Sequence, residues 1–441
     1  IIPAFNEEKC IVDFYNAVEP YINKEGLESR YLFIDDGSKD ETLNIIKELS
    51  YHTTKLYNIA NYDCRENGFK SYVKMNNIYK DNYHKNFIHI HSYQQCLKIL
   101  DQNWKSYFAS IKDYKKNPSK YKGQPRPPKF KNINNKKNEV VLTYKGFRFK
   151  DNILKISLGK ELQSKFEVKM LEINMANVYF PIDFDCIKQI KIAWNNSSKR
   201  WYFNVLYEKE EINIAKNYNN IMSIDLGLNN LATITFDYCV KSYIIDGKYA
   251  KSKNSYYNKE IAKLTSIAMK QQGDPKYFKR TNRIITLQYK RNNFIKDYIH
   301  KASKKIIDIA IINQCKEIII GDFSGVKQNN TAKSFVQIPQ QKLVDMIKYK
   351  AKLIGIKVIM QNESYTSGCS CLDLEEINKK YYNKSRRIYR GLFKSNEGIL
   401  INADINGSIN IMRKRIKCTP RSLQMMMDNG YVANPIRLRV A

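Results

Sequence analysis

A series of short apolar runs alternates with helical patterns between residues 220 and 416, and this most constrains what the chain can fold into. IMSIDLGLNNLATITF (221–236) reads as a buried strand, a turn and a second strand. EIIIGDF (317–323) and KVIMQNESY (357–365) read as two further strands. Between and after them, QKLVDMIKYKAKLIG (341–355) and NADINGSINIMRKRI (402–416) keep a helical rhythm, and a long basic helical stretch covers 256–313, interrupted around Gly273-Asp274-Pro275. Strands that alternate with helices in this way predict an α/β sheet domain.

The preceding region has another texture. Leu43, Ile46, Leu49, Leu56 and Ile59 recur at threes and fours, predicting a helix over about 43–62. A second helix is predicted over 92–116, with Leu97, Leu100, Trp104, Tyr107, Phe108 and Ile111 on one face and a stop at Asn117-Pro118. KYKGQPRPPKFKN is a Pro-rich basic loop. From 139 to 210 the β-branched and aromatic runs VVLTY, ILKISL, QIKIAWN and RWYFNVLYE predict a β-rich lobe.

Charge then narrows the partners. The 441 residues carry a formal net charge of +32, an excess that strongly self-repels unless a polyanion offsets it. The basic residues are interleaved with Tyr and Asn over hundreds of positions, a pattern that favours nucleic acid over a membrane surface. No apolar run approaches the ~20 residues of a membrane span. Scattered cysteines, nine in all, suit a reducing cytoplasm. The first 50 residues hold five Lys/Arg against eleven Asp/Glu, whereas the remaining 391 hold 70 against 32, so a boundary falls near residue 50.

Three acids stand where chemistry could use them. Asp225 follows Ile221-Met222-Ser223-Ile224 on a central strand, where a carboxylate is costly unless it binds a cation or is hydrogen-bonded; a turn-forming Asp is the plainer reading. Glu363 ends the strand KVIMQNE and could simply be solvated. Asp404 lies at a helix start, a place that favours Asp on structural grounds alone.

Taken together, MSIDLGLNNLATITF, NESYTSGCS and INADINGSINIMRK resemble, in that order, the RuvC-like nuclease domain of the TnpB (OrfB) proteins. These are transposon-encoded, RNA-guided DNA endonucleases related to type V CRISPR effectors. The likeness covers about 45–441, including KLYNIANYDCREN, RNNFIKDYIHKAS and NGYVANPIRLRV. It implies an RNase H-like α/β nuclease domain over 216–441, and a β-rich wedge with a helical recognition lobe over 46–215. It further implies that Asp225, Glu363 and Asp404 gather two Mg²⁺ ions to cleave DNA, with guide RNA and target DNA as partners. Many family members place the middle glutamate on the strand that here reads EIIIGDF, where this chain has Gly321 followed by Asp322. Side chains alternate along a strand, so Asp322 would point to the other face. Glu363 therefore resembles the displaced glutamate of members with a rearranged site, and Asp322 is the alternative acid.

A second departure concerns zinc. The family often carries two C-x₂-C pairs between the second and third acids; here there are only Cys369 and Cys371, one residue too close, and no cysteine from 372 to 402. Zinc is not expected, and 366–402 is read as a degenerate ribbon insertion. Lys105, Lys112, Lys115, Lys116, Lys120, Lys122 and Arg126 are the candidate phosphate contacts. Trp104 and Tyr107 between them read as helix core, and His300 could touch nucleic acid or pack within its helix.

IIPAFNEEK and YLFIDDGSKDET resemble the start of family-2 glycosyltransferases over 1–45, with Asp35 and Asp36 as the strand-end acids that grip a nucleotide sugar. The likeness stops before any metal-binding Asp-x-Asp or catalytic base. The expectation is a truncated GT-A-like fragment fused ahead of a transposon protein, with sequence missing upstream of Ile1, and no sugar transfer. The alternative to a nuclease is a nuclease-dead, RNA-guided DNA-binding protein, or a non-functional fusion. Oligomeric state is not legible.

Overall fold

The computed structural model describes residues 41–440 apart from 176–183, 197–198, 210, 213, 239–240, 274–277, 323–338, 390, 417–422, 425–426 and 429. Asp35 and Asp36 therefore lie outside the described residues. The chain divides into two compact units, 1–209 and 210–441.

In the first unit, α1 (Thr42–Glu66), α2 (Tyr72–Ile78) and α3 (Ile90–Lys116) precede six strands. These are β1 (Val140–Thr143), β2 (Phe147–Lys150), β3 (Ile153–Ser157), β4 (Met170–Asn174), β5 (Ile187–Asn195) and β6 (Arg200–Tyr207), with α4 (Lys160–Phe166) before β4. They form two antiparallel sheets, β1-β5-β6 and β2-β3-β4. One apolar core joins helices and sheets: Leu49 and Leu56 of α1, Leu97, Leu100 and Trp104 of α3, Ile190 and Ile192 of β5, and Trp201 and Phe203 of β6. Trp104 is core, as its spacing suggests, and its indole N–H donates to Asn61 Oδ1 at 3.0 Å. The Pro-rich loop is fastened to α1 by amides: Asn58 exchanges two 2.9 Å bonds with the Lys131 backbone, and Asn61 Nδ2 donates to Pro128 O at 2.9 Å. Ile45, Ile46 and Leu49 are buried in this same core, so the helix that crosses the charge boundary packs with the basic lobe.

The second unit is built on a six-stranded sheet of β7 (Asn220–Leu226), β8 (Asn230–Phe236), β9 (Tyr243–Asp246), β10 (Cys315–Asp322), β11 (Lys357–Asn362) and β14 (Ile436–Leu438). Its order is β11-β10-β7-β8-β9-β14. The β7-β8-β9 meander is antiparallel, while β10, β11 and β14 each join in parallel. Three long helices, α5 (Lys248–Gln272), α6 (Asn282–Ile312) and α7 (Gln340–Leu353), accompany it, and α8 (Ala403–Arg413) closes the set. A two-stranded hairpin, β12 (Leu392–Lys394) and β13 (Leu400–Asn402), lies just before α8. The sequence pattern did not disclose β9, β14 or this hairpin, whose runs are only three or four residues long; α5 also starts eight residues earlier than its periodicity suggests.

The Ile318-Ile319-Ile320 run of β10 is apolar throughout because both faces of the sheet are covered. Ile318 and Ile320 pack with α6 and α7, among Ile299, Ile306, Leu343 and Ile347. Ile319 packs on the opposite face with Ile411 and Met412 of α8. That face is otherwise lined by small polar groups. Ser223 Oγ lies 2.7 Å from Thr235 Oγ1, and Ser408 of α8 joins both at 3.1 and 2.9 Å. Small side chains let a helix approach a sheet closely, and Asn406, Gly407 and Ser408 are fully buried at this contact.

Candidate active site

The approach of α8 to β7 builds the site. Ile224 of β7 pairs in parallel with Ile320 of β10, so Asp225 and Gly321, each one residue further on, stand side by side at the C-terminal ends of neighbouring strands. Alternation along β7 puts Asp225 on the same face as Ser223, under α8. A Cβ added to Gly407 of α8 would lie 2.8 Å from Asp225 Oδ2, so the missing side chain at 407 is what makes room for the carboxylate. Asp404 stands one turn earlier on α8. It does not cap the helix: Asn402 does, its Oδ1 accepting from the Asp404 and Ile405 amides at 3.0 and 3.2 Å. The Asp404 carboxylate thus faces other groups, accepting from Asn230 Nδ2 at 2.6 Å and from Arg387 Nη2 at 3.0 Å.

The third acid arrives from the next strand. Glu363 directly follows β11, and a Cβ added to Gly321 would sit 2.8 Å from Glu363 Oε2. The Glu363 carboxylate thus fills the space beside β10 that a side chain at 321 would enter. Asp322 pairs with Asn362 across β10 and β11 and, by alternation, takes the face opposite to Gly321. Asp225, Glu363 and Asp404 are all half-buried. Burial first, then the Glu363 charge and then the Asp404 charge push the Asp225 carboxyl up to about 7, against the opposing pull of Arg387.

Three carboxylates meeting at half-buried strand ends supply the hard oxygen donors that Mg²⁺ takes, and their mutual repulsion calls for a cation between them. Among the described residues, no group of three or more His, Cys, Asp or Glu lies in an arrangement that could hold a metal ion as it stands. Arg387, Asn230 and Gly407 stand around the candidate site and were passed over by sequence reasoning, which met Gly321 only as the place of a missing acid. The glycines had a signal, since a glycine inside a helix or strand often marks a close approach. Arg387 had none, lying among ordinary basic residues of the insertion.

The contacts within that insertion are polar and apolar. The Cys369 Sγ lies 3.6 Å from the Asn378 carbonyl, burial pushes its thiol up, and Cys371 packs in an apolar cluster with Phe393, Ile401 and Ile405. Its polar centre is Glu375, which accepts from Arg386 Nη1 on both oxygens at 2.7 and 2.8 Å, from the Ser370 amide at 2.7 Å and from Asn396 Nδ2 at 2.8 Å.

In the first unit, Lys105, Lys112, Lys115, Lys116, Lys120, Lys122 and Arg126 are all exposed on or just after α3. Lys105 is paired with Asp101 at 2.6 Å and Lys120 with Asp113 at 2.7 Å. A cleft of about 340 Å³ between α3 and the Pro-rich segment is lined by Tyr57, Asn103, Tyr107, Arg126 and Lys129. His300 sits half-buried on α6, where its carbonyl accepts from Lys350 Nζ at 2.9 Å. Among the described residues, no helix is long and apolar enough to cross a membrane.

The architecture is an α/β sheet domain with three acids near its strand ends, preceded in sequence by a helical and β-rich lobe. Comparison with known proteins agrees. Residues 204–327 match the model of a probable transposase, the OrfB family of IS605, and 341–411 match the Cas12f1-like TNB domain. The TnpB-like protein ORF457 of Acidianus two-tailed virus is 24% identical over 440 residues, spanning 92% of this chain and 90% of that protein. The CRISPR-associated endodeoxyribonuclease Cas12f1 of Sulfoacidibacillus thermotolerans is 29% identical over 230 residues, half of this chain and 52% of its own length. A Cas12f1–sgRNA–target DNA complex shares the fold, with a TM-score of 0.56 at 15% identity over 92% of this chain and 95% of that one. These findings support a TnpB-type nuclease. Residues 1–69 match glycosyl transferase family 2, so that likeness runs beyond residue 45 and through α1.

Proposed function

We propose that the chain is a transposon-associated, RNA-guided DNA endonuclease that cuts phosphodiester bonds at Asp225, Glu363 and Asp404. The observation that carries this is the close approach that two glycines allow, Gly407 to Asp225 and Gly321 to Glu363, with the Glu363 and Asp404 charges both acting on Asp225. Viral and CRISPR-associated relatives and the shared Cas12f1 fold support the same reading. Divalent ions, Mg²⁺ in the first place, would be held by these three acids and would supply charge stabilisation and an activated water. The chain's own part is to fix the acids. β7 and α8 set Asp225 and Asp404 one against the other, and the end of β11 brings Glu363 alongside. Asn230 Nδ2 orients Asp404, and Arg437 Nη1 in turn donates to Asn230 Oδ1 at 3.1 Å. Guide RNA and target DNA are the partners that the charge of +32 and the basic face of α3 favour. The proposed division of labour gives 46–215 to nucleic-acid binding, 216–441 to cleavage, and no catalytic part to 1–45.

Cleavage of a guide-matched DNA by the purified chain with guide RNA and Mg²⁺ tests the reading. Glu363→Gln is expected to abolish cutting while leaving guide-RNA affinity within about twofold, since the glutamine is isosteric and lies in the nuclease unit. A fully active Glu363→Gln protein would overturn the assignment. A second reading, an RNA-guided binder that does not cut, draws on one observation: both oxygens of Asp404 are engaged by side chains of this chain. Tight DNA binding by the wild-type complex with no cutting would favour it.

A further inference from the structure

We propose that Arg387 is a tethered counter-cation of the carboxylate site, held on Asp404 in the metal-free chain and displaced from it when a divalent ion is taken up. This rests on the carboxylate-site reading above and adds a competitor to it.

Two observations place the guanidinium as an occupant of the site. Its Nη2 donates to Asp404 Oδ1 at 3.0 Å, while the other carboxylate oxygen accepts from Asn230. The Arg387 charge also acts on Asp225, opposing Glu363 and Asp404. A cation of this chain therefore already offsets part of the repulsion that a metal ion would relieve. Like charges cannot share a small half-buried space cheaply, so the guanidinium and a divalent ion compete for Asp404.

The second line is the tether. Arg387 directly follows the single helical turn Lys384–Arg386, and its amide donates to Lys384 O at 3.1 Å. Arg386 is locked onto Glu375, a pair whose side chains are only 18% and 6% exposed. Glu375 is fixed further by the Ser370 amide and Asn396. The backbone at 386–387 thus has one fixed anchor, while the Arg387 side chain itself is 37% exposed. A half-exposed guanidinium on a fixed root can leave Asp404 for solvent without the penalty of moving a buried charge. The insertion thereby supplies a cation to the active site from a scaffold centred on a carboxylate rather than on thiolates.

Calorimetric titration of the purified full chain with Mn²⁺ tests this, using wild type, Arg387→Ala, Arg387→Gln and Asp225→Asn, each checked for folding by its melting curve. Both Arg387 variants are expected to bind Mn²⁺ about fivefold more tightly than wild type, the upper range for losing a half-exposed ion pair. Asp225→Asn is expected to weaken binding at least tenfold. Glutamine keeps the side-chain bulk should alanine perturb the loop. Unchanged or weaker Mn²⁺ binding in the folded Arg387 variants would overturn the proposal while leaving the carboxylate site intact. Uptake by the Arg387 variants alone would support it in its strongest form. Mn²⁺ binding that ignores Asp225→Asn, or no binding by any variant, would remove the site reading and the proposal together.

Discussion

At the scale of single residues, two glycines make room for two of the three acids. Gly321 leaves a space beside β10 that is filled by Glu363 from the adjacent strand. The atoms that a Cβ at 321 would meet, Glu363 Oε2 and Ile411 Cδ1, both at 2.8 Å, are the ends of flexible side chains. They can swing aside, so Gly321→Ala is expected to cost only about 1 kcal/mol of stability. The carboxylate, however, must leave its place, and cleavage is expected to fall at least tenfold with guide-RNA binding unchanged. Thermal melts alongside cleavage rates check this; an alanine variant that cuts at the wild-type rate would show that Glu363 need not occupy that spot. Asp225 was legible because a carboxylate on an apolar central strand is costly to bury, whereas Asp404, at a helix start that favours Asp, stood out only through the family resemblance. Arg387 was not, since a basic residue in a basic insertion breaks no pattern.

The informative element is the insertion from 366 to 402. Its cysteine spacing does not suit zinc, yet Glu375, Arg386, Ser370 and Asn396 form a connected polar centre, and Phe393 and Ile401 close a small apolar cluster. Removing one partner of a buried ion pair leaves an uncompensated charge. Glu375→Ala should therefore destabilise the second unit by about 3 kcal/mol. Calorimetric melting of the wild type and the variant measures this, and a zinc chelator is expected to leave the wild-type melt unmoved. A melt that drops on chelation would mean that thiolates, rather than Glu375, hold the segment. The hairpin within this insertion escaped sequence reading because strands of three residues leave too short a pattern. By contrast β7, β8 and β10 were legible: a strand buried on both faces must be apolar along its length.

At the scale of the whole molecule, the charge of +32 sets the mode of binding. Guide-RNA affinity should fall steeply with salt, and each phosphate-contacting lysine removed should lessen the log–log slope by about 0.7. Lys112→Ala, Lys115→Ala and Lys116→Ala are expected to show this in full. Lys105→Ala and Lys120→Ala should change the slope less, because Asp101 and Asp113 already offset those charges. Anisotropy titrations across a salt series read the slopes, and equal slopes for all five variants and wild type would place the RNA on another face.

The sequence by itself determined that the second unit is an α/β sheet, that the chain carries a large positive charge, and that an acidic stretch precedes a basic one. These follow from periodicity and charge, which are local or additive properties readable along the chain. Only the tertiary structure decided which acids meet. The register of β7 against β10, the close seat of α8 on Ser223 and Thr235, and the spaces left by Gly321 and Gly407 bring together acids up to 179 positions apart. Such proximity depends on packing distances of a few ångströms, and no one-dimensional pattern carries them.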